Sequence, residues 1–316
     1  MPVTGPHTAS GPEVKNGRMT DSRLLAPVLT WYAANRRELP WRSPDASAWS
    51  VLVSEVMLQQ TPVARVLPVF AAWLGRWPRP ADLAADSPAE AIRLWGALGY
   101  PRRALRLHAA ADLIVRRHDG LVPADPEALL ELPGVGAYTA AAVASFAYGQ
   151  RQVVLDTNVR RVLARATAGV ELPSRSISAA ERHTAESLLP EDPAVAAAWS
   201  VAVMELGALT CTSRTPRCVE CPIEADCAWH AGGMLRSHTA TRPAQTYQGT
   251  DRQCRGRLLA VLRHTAGPVH GSALEAAWDV ATQRERSLAG LVADGLVEPI
   301  AGDRYQLPTR SPVGSR

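Results

Sequence analysis

Between Asp21 and about residue 230, apolar residues recur at steps of three and four, and short turns marked by proline or glycine divide the pattern. The stretch DSRLLAPVLTWYAANRR carries this spacing, and Leu39-Pro40-Trp41 ends it. Ser87 before Pro88-Ala89-Glu90 predicts a helix start, with a capping box and proline at the first helical position. Further breaks fall at Trp77-Pro78, Leu132-Pro133-Gly134 and Leu172-Pro173. Strand-like alternation is nearly absent, so the expected class is all-α, with Ala, Leu and Val faces packed together.

The ends of the chain read differently. Residues 1–20 lack the apolar core of a secretory leader and are expected to form a disordered tail. Residues 231–250 are polar and rich in turn formers, which predicts a linker. Residues 251–310 then give three helix-like stretches and a strand pair around Glu298–Gln306, the order of a small winged-helix-like module. Two readings of that module stand open, contact with DNA and simple packing on the main region.

Composition narrows the class. Across 316 residues the hydrophobic content is 47% and no apolar run is long enough to span a bilayer, so a cytoplasmic protein is expected. The net charge of +4 is mild, but arginines gather at Arg102, Arg103 and Arg106 and again at Arg151, Arg160, Arg161 and Arg165. Such clusters are ordinarily solvated helix faces and point to phosphate only beside other nucleic-acid features. Five cysteines without an export signal argue against a disulfide framework.

Four of those cysteines form the run Cys211-x6-Cys218-x2-Cys221-x5-Cys227. Thiolates are soft ligands, and this set suits either an iron–sulfur cluster or zinc. A second motif, Leu132-Pro133-Gly134-Val135-Gly136, lies between two helix-like stretches, where glycines allow a tight hairpin with outward-facing N–H groups that could meet a phosphate. A plain tight turn would give the same pattern. Asp156 ends the apolar run Val153-Val154-Leu155 and reads either as a helix cap or as a carboxylate that stabilises cationic sugar character. Glu55 interrupts the apolar stretch Trp49–Met57, where burial would raise its pKa toward that of a general acid at neutral pH.

Taken together, Pro40-Trp41-Arg42, Ser54-Glu55-Val56-Met57-Leu58-Gln59-Gln60-Thr61, Leu98-Gly99-Tyr100, the Gly134-Val135-Gly136-x-Tyr138-Thr139 hairpin, Asp156-x-Asn158-Val159 and the cysteine spacing resemble MutY-type adenine glycosylases of the endonuclease III, helix–hairpin–helix superfamily. The resemblance covers about residues 22–230. It implies a two-lobed fold, with a helical barrel lobe over about 45–155 and an iron–sulfur lobe from 21–44 with 156–230. It implies a [4Fe–4S] cluster on Cys211, Cys218, Cys221 and Cys227, and a monomer acting on double-stranded DNA with A:8-oxoguanine or A:G mispairs. Glu55 would protonate adenine and activate water, Asp156 would stabilise the sugar cation, and Tyr138 and Asn158 would organise that site. Trp41 and Arg42 would contact the adenine pocket and backbone, Gln60 and Tyr100 would wedge beside the opposing base, and Thr61 and Leu98 would line the same position. Gly134, Val135 and Gly136 would hold the DNA backbone.

Tyr138 stands where endonuclease III-type relatives carry the lysine of a bifunctional glycosylase/AP lyase, so hydrolysis without strand cleavage is implied. A cluster-bearing, non-catalytic DNA-binding protein is the remaining alternative, disfavoured by the intact Glu55 and Asp156. The chain departs from the family at Pro101 and Val201, and a short form without the Nudix-like C-terminal domain is expected.

Overall fold

The structure is a computed structural model and describes residues 22–235 and 247–310; the expected tail at 1–20 and the middle of the expected linker lie outside the described residues. Helix α1 (Ser22–Asn35) leads through a short 3-10 turn at Pro40–Arg42 into α2 (Ala48–Leu58), which is apolar apart from Ser50, Ser54 and Glu55. A helix of that kind belongs in an interior, and the residues from Trp49 to Met57 are all buried. Around α2 pack α3 (Val63–Arg76), α4 (Pro80–Ala85), α5 (Pro88–Trp95), α6 (Arg102–Arg117), α7 (Pro126–Leu130) and α8 (Ala137–Tyr148). Their shared core includes Val53, Met57, Leu107 and Val143, and Trp73 sits edge-to-face with both Trp77 and Trp95.

A second core forms where α1 meets the later helices α9 (Thr157–Ala168), α10 (Ala179–Ser187) and α11 (Pro193–Leu209). Leu24 and Val28 of α1 pack there with Val162, Trp199 and Leu206. Beyond the cysteine run, α12 (Ala228–Ala231) returns against α9.

Helix starts follow the sequence signals. Ser47, Asp125, Asp156, Ser178, Asp192 and Thr250 each cap a helix through a side-chain oxygen. At Ser87 only half of the expected box is present. The serine accepts from the Glu90 N–H at 3.3 Å, but the Glu90 carboxylate turns to Arg76 at 2.8 Å and Arg93 at 3.0 Å. Two cations outcompete one backbone amide for the carboxylate.

The C-terminal module comprises α13 (Asp251–His264), β1 (Val269–His270), α14 (Gly271–Ala277), α15 (Ala281–Ala293), β2 (Glu298–Ile300) and β3 (Arg304–Gln306). The strand pair expected from the sequence gains β1 as a third, antiparallel member, in the order β1-β3-β2. A two-residue strand is too short to show alternation, which is why it was not legible. The module is packed on the barrel lobe: Ile92 and Leu105 share a core with Cys254, Leu258, Leu259 and Leu262. Arg93 donates to the Leu262 carbonyl at 3.1 Å, Arg263 donates to that of Gly96, and Arg102 pairs with Asp294 at 3.2 Å. Among the described residues no helix is long and apolar enough to cross a membrane.

Candidate active site

A large cleft separates the first two cores, and its walls include Trp41, Glu55, Tyr138, Asp156, Asn158 and Val201. Glu55 reaches it from α2. Burial pushes its carboxyl up to about 7; a hydrogen bond from Tyr138 opposes the shift, the charge of Asp156 adds to it, and Arg42 draws it down. Tyr138 lies in the first turn of α8, where burial and the two nearby carboxylates hold its phenol well above the usual range. It therefore remains a hydroxyl and donates to Glu55.

Asp156 is the helix cap that the sequence allowed, and it also lines the cleft. One carboxylate oxygen accepts from the Asn158 and Val159 N–H groups at 2.9 and 2.6 Å, and the other accepts from Asn158 Nδ2 at 2.7 Å. Burial raises its pKa, while those bonds and the Arg161 charge restrain the rise. Arg161 continues the chain of contacts, donating to Asn158 Oδ1 at 2.8 Å, to the Gly207 carbonyl at 2.7 Å and to the Cys211 carbonyl at 2.8 Å. Gly207 is required by this approach, since a Cβ there would stand 2.7 Å from the Cβ of Asn158.

Trp41 sits in the 3-10 turn, its ring 5.1 Å from Phe70 in an edge-to-face pair. Arg42 pairs at 2.9 Å with Glu205 of α11, whose carboxylate also takes a two-pronged contact from Arg37 at 2.7 Å. Burial alone would raise Glu205, but Arg37 and Arg42 override it and hold the carboxyl down to about 2. No spacing rule linked Arg37 to Glu205 in advance; the legible signal was a lone charge in the apolar run of α11.

The hairpin connects α7 to α8. Gly134 has φ +86°, and a side chain there would meet Arg106 at 2.9 Å, so glycine is needed on both counts. Val135 is buried, and Gly136 caps α8 without a side-chain acceptor, leaving first-turn N–H groups free to face the cleft they line.

Two residues with left-handed backbone, Gln60 (φ 56°) and Tyr100 (φ 48°), stand on neighbouring loops. Buried Arg103 joins those loops, donating to the Met57 carbonyl at 3.0 Å, to Thr61 Oγ1 at 3.0 Å and to the Gly99 carbonyl at 3.0 Å. Gln60 and Tyr100 are exposed. Thr61 is buried against Arg103, and Leu98 lies 4% exposed in the barrel core. Leu98 thus supports this surface from beneath and does not line it, because its neighbours are apolar.

The four cysteines Cys211, Cys218, Cys221 and Cys227 all carry free thiols and sense one another's charge. Burial and the charges of the other three push Cys221 up to about 12, and burial likewise raises Cys218. Arg165 approaches from α9, donating to Cys211 Sγ at 3.3 Å and to the Thr212 carbonyl at 2.8 Å, with its guanidinium 4.4 Å from the Trp229 ring. This donor set is soft, anionic once ionised, and braced by cations, which fits an iron–sulfur group. Among the described residues no group of three or more His, Cys, Asp or Glu side chains is arranged to hold a metal ion.

A helix–hairpin–helix joined to a cleft that holds a carboxylate pair between two helical lobes defines a base-excision DNA repair fold. Residues 53–185 match the HhH-GPD superfamily of base excision DNA repair proteins. The chain is 50% identical over 305 residues to an adenine DNA glycosylase of Mycobacterium tuberculosis, covering 96% of this chain and 98% of the relative. The corresponding enzyme of Mycolicibacterium smegmatis is 49% identical over 294 residues, 92% of this chain and 98% of that one, while the human enzyme is 43% identical over 209 residues, 63% and 38%. Among solved structures, a thermostable thymine-DNA glycosylase superposes with TM-score 0.60 at 25% identity, over 67% of this chain and 97% of that one. A trapped endonuclease III–DNA covalent intermediate superposes with TM-score 0.58 at 22% identity, over 70% and 100%. The chain belongs to the adenine DNA glycosylase family.

Proposed function

We propose that this protein releases adenine mispaired with 8-oxoguanine or guanine in double-stranded DNA, by hydrolysis and without strand cleavage. One observation carries the chemistry: Glu55, buried with its carboxyl at about 7, shares the cleft with Asp156 and is held by Tyr138. An adenine leaves its sugar readily only when its ring nitrogen is protonated, and Glu55 is poised to give that proton near neutral pH. The base must first swing out of the duplex into the cleft. As the glycosidic bond breaks, positive charge grows on the sugar, and the Asp156 carboxylate stabilises it. Glu55, now ionised, accepts a proton from the attacking water. Tyr138 keeps Glu55 oriented, and Asn158 fixes the rotamer of Asp156 through its 2.7 Å bond.

Trp41 and Arg42 are the pocket and backbone contacts in this reading, Gln60 and Tyr100 fill the gap left in the stack, and the hairpin at Gly134–Gly136 holds backbone phosphate. Cys211, Cys218, Cys221 and Cys227 would hold a [4Fe–4S] cluster, which supplies a folded, DNA-facing loop and takes no part in bond cleavage. The protein is read as a monomer working on chromosomal DNA in the cytoplasm.

A single-turnover assay on A:8-oxoguanine, A:G and A:C duplexes tests the proposal. Free adenine from the first two, with no β-elimination product, is the expected result. Normal adenine release by both Glu55→Gln and Asp156→Asn would overturn it. Iron and sulfide analysis of anaerobically purified protein tests the cluster independently.

A further inference from the structure

The C-terminal module touches the barrel lobe at one more place, the Tyr100 loop, and there it leaves a cation without an anion. Tyr100 holds a ring that is 49% exposed on its strained backbone. The guanidinium of Arg103 lies 5.4 Å from that ring, and that of Arg252, from the first turn of α13, lies 5.8 Å from it. Arg252 also stands 5.7 Å from the ring of Tyr247, which is 52% exposed. The Tyr247 turn is built to stay in place. Its carbonyl accepts from Thr250 Oγ1 at 2.7 Å, the Gly249 N–H donates to Gln253 Oε1 at 2.7 Å, and Gln283 donates to the Gly249 carbonyl at 2.9 Å. Gly256 makes room for the Tyr247 hydroxyl, which a Cβ would meet at 3.3 Å.

Several arginines around this seam are engaged. Arg102 and Arg255 pair with Asp294, Arg286 pairs with Asp251, and Arg263 donates to a barrel-lobe carbonyl. Among the described residues Arg252 has no carboxylate partner; its contacts are the two rings. An exposed guanidinium braced by two aromatic faces keeps its N–H donors free, and that combination suits a sugar-phosphate backbone with bases stacked beside it. The location fits as well. Arg103 ties the Tyr100 loop to Gln59–Thr61, and that second loop lines the cleft. If adenine enters the cleft, the duplex it leaves lies beside this rim.

We propose that Arg252, held between Tyr100 and Tyr247, binds the sugar-phosphate backbone of the DNA beside the cleft, so that the C-terminal module is part of the DNA-binding surface. This rests on the adenine-excision reading above. The module thereby takes a share of substrate binding through one cation and one ring that belong to no motif of the glycosylase region.

The test is a titration of full-length protein with an A:8-oxoguanine duplex whose adenosine carries a cleavage-resistant 2′-fluoro sugar, followed by fluorescence anisotropy over a range of salt. Arg252→Ala is expected to raise Kd about tenfold and to lower the salt slope by about one, the signature of one lost phosphate contact. Tyr247→Ala is expected to raise Kd about fivefold with little change in slope, as loss of one stacking ring does. Arg116→Ala, some 20 Å further along α6 from Arg102, serves as a control of equal charge and is expected to bind as the wild type does. A wild-type Kd and slope for Arg252→Ala would overturn the proposal, as would an equal loss in Arg116→Ala. Circular dichroism melts show whether each variant is folded; should Arg252→Ala be unfolded, Arg252→Lys, which keeps charge but stacks poorly, must bind more weakly than the wild type with an unchanged salt slope. Wild-type protein that releases no adenine would instead remove the reading on which this one rests.

Discussion

Glu55 and Glu205 look alike in the sequence, each the single charged residue of an apolar helix, α2 and α11. Both are buried in the fold. Their surroundings drive them in opposite directions. Glu55 faces a tyrosine hydroxyl and another carboxylate, with Arg42 only as a distant influence, and its carboxyl rises to about 7. Glu205 receives Arg37 and Arg42 directly and falls to about 2. The first is a proton donor in waiting; the second is a permanent anion that pins the 3-10 turn and Trp41 across the lobe boundary. A lone carboxylate in an apolar helix therefore marks a position under tension, and what the fold sets opposite it decides between chemistry and architecture.

The largest test of this contrast is kinetic. Glu55→Gln should lower single-turnover adenine release by about 10³-fold or more, whereas Glu205→Gln, where still folded, should release adenine within about tenfold of wild type. Next comes stability. Removing the Glu205 charge leaves two buried-side guanidinium contacts unanswered and should cost about 3 kcal/mol at pH 7 in urea unfolding. Because Glu205 sits below its ordinary value of 4.5, its contribution is full above that pH and is lost as pH falls toward about 2, so the gap to Glu205→Gln should close in acid.

Glu55 has the opposite sign. Its folded value lies above 4.5, so folding favours the protonated form, and that advantage is lost as pH rises through about 7. Glu55→Gln, which never ionises, should be more stable than wild type at pH 8 by up to about 3 kcal/mol and equal to it at pH 4. The same titration should shape catalysis: above pH 7 the rate should fall about tenfold per pH unit, and a flat profile from pH 6 to 9 would count against Glu55 as the acid. The smallest effect concerns Arg37, a third of whose side chain is exposed. Arg37→Lys keeps the charge but loses the two-pronged geometry and should cost about 1 kcal/mol without moving the pH profile.

These partners also mark where sequence reading ran out. Glu55, Asp156, the hairpin glycines and the cysteine run carry their meaning locally, because each motif is a short segment whose own backbone does the positioning. Asp156 caps the helix that begins one residue later, and Gly134 turns within its own loop. Arg37 and Glu205 meet across 168 residues, and Arg103 reaches Met57 across 46. No period or spacing encodes such pairs; they exist only once two helices cross. Arg103 stood in a basic cluster that reads as a solvated face, yet it is buried beneath Gln60 and Tyr100. Leu98 differs in the reverse direction: the resemblance implies a lining residue, yet its side chain is buried in the barrel core.

The seam built from Ile92, Leu105 and the leucines of α13 has a consequence for how this chain can be shortened or recombined. Ile92 is 0% exposed and Leu105 2%, and both owe that shelter to residues beyond 250. A fragment ending before α13 would carry an oily stripe on α5 and α6, with Arg93 stripped of two carbonyl partners. Such a piece would be prone to clump even with every reactive group intact. Swapping in a foreign tail would succeed only where the newcomer covers the same stripe, which ties the inheritance of the two halves together.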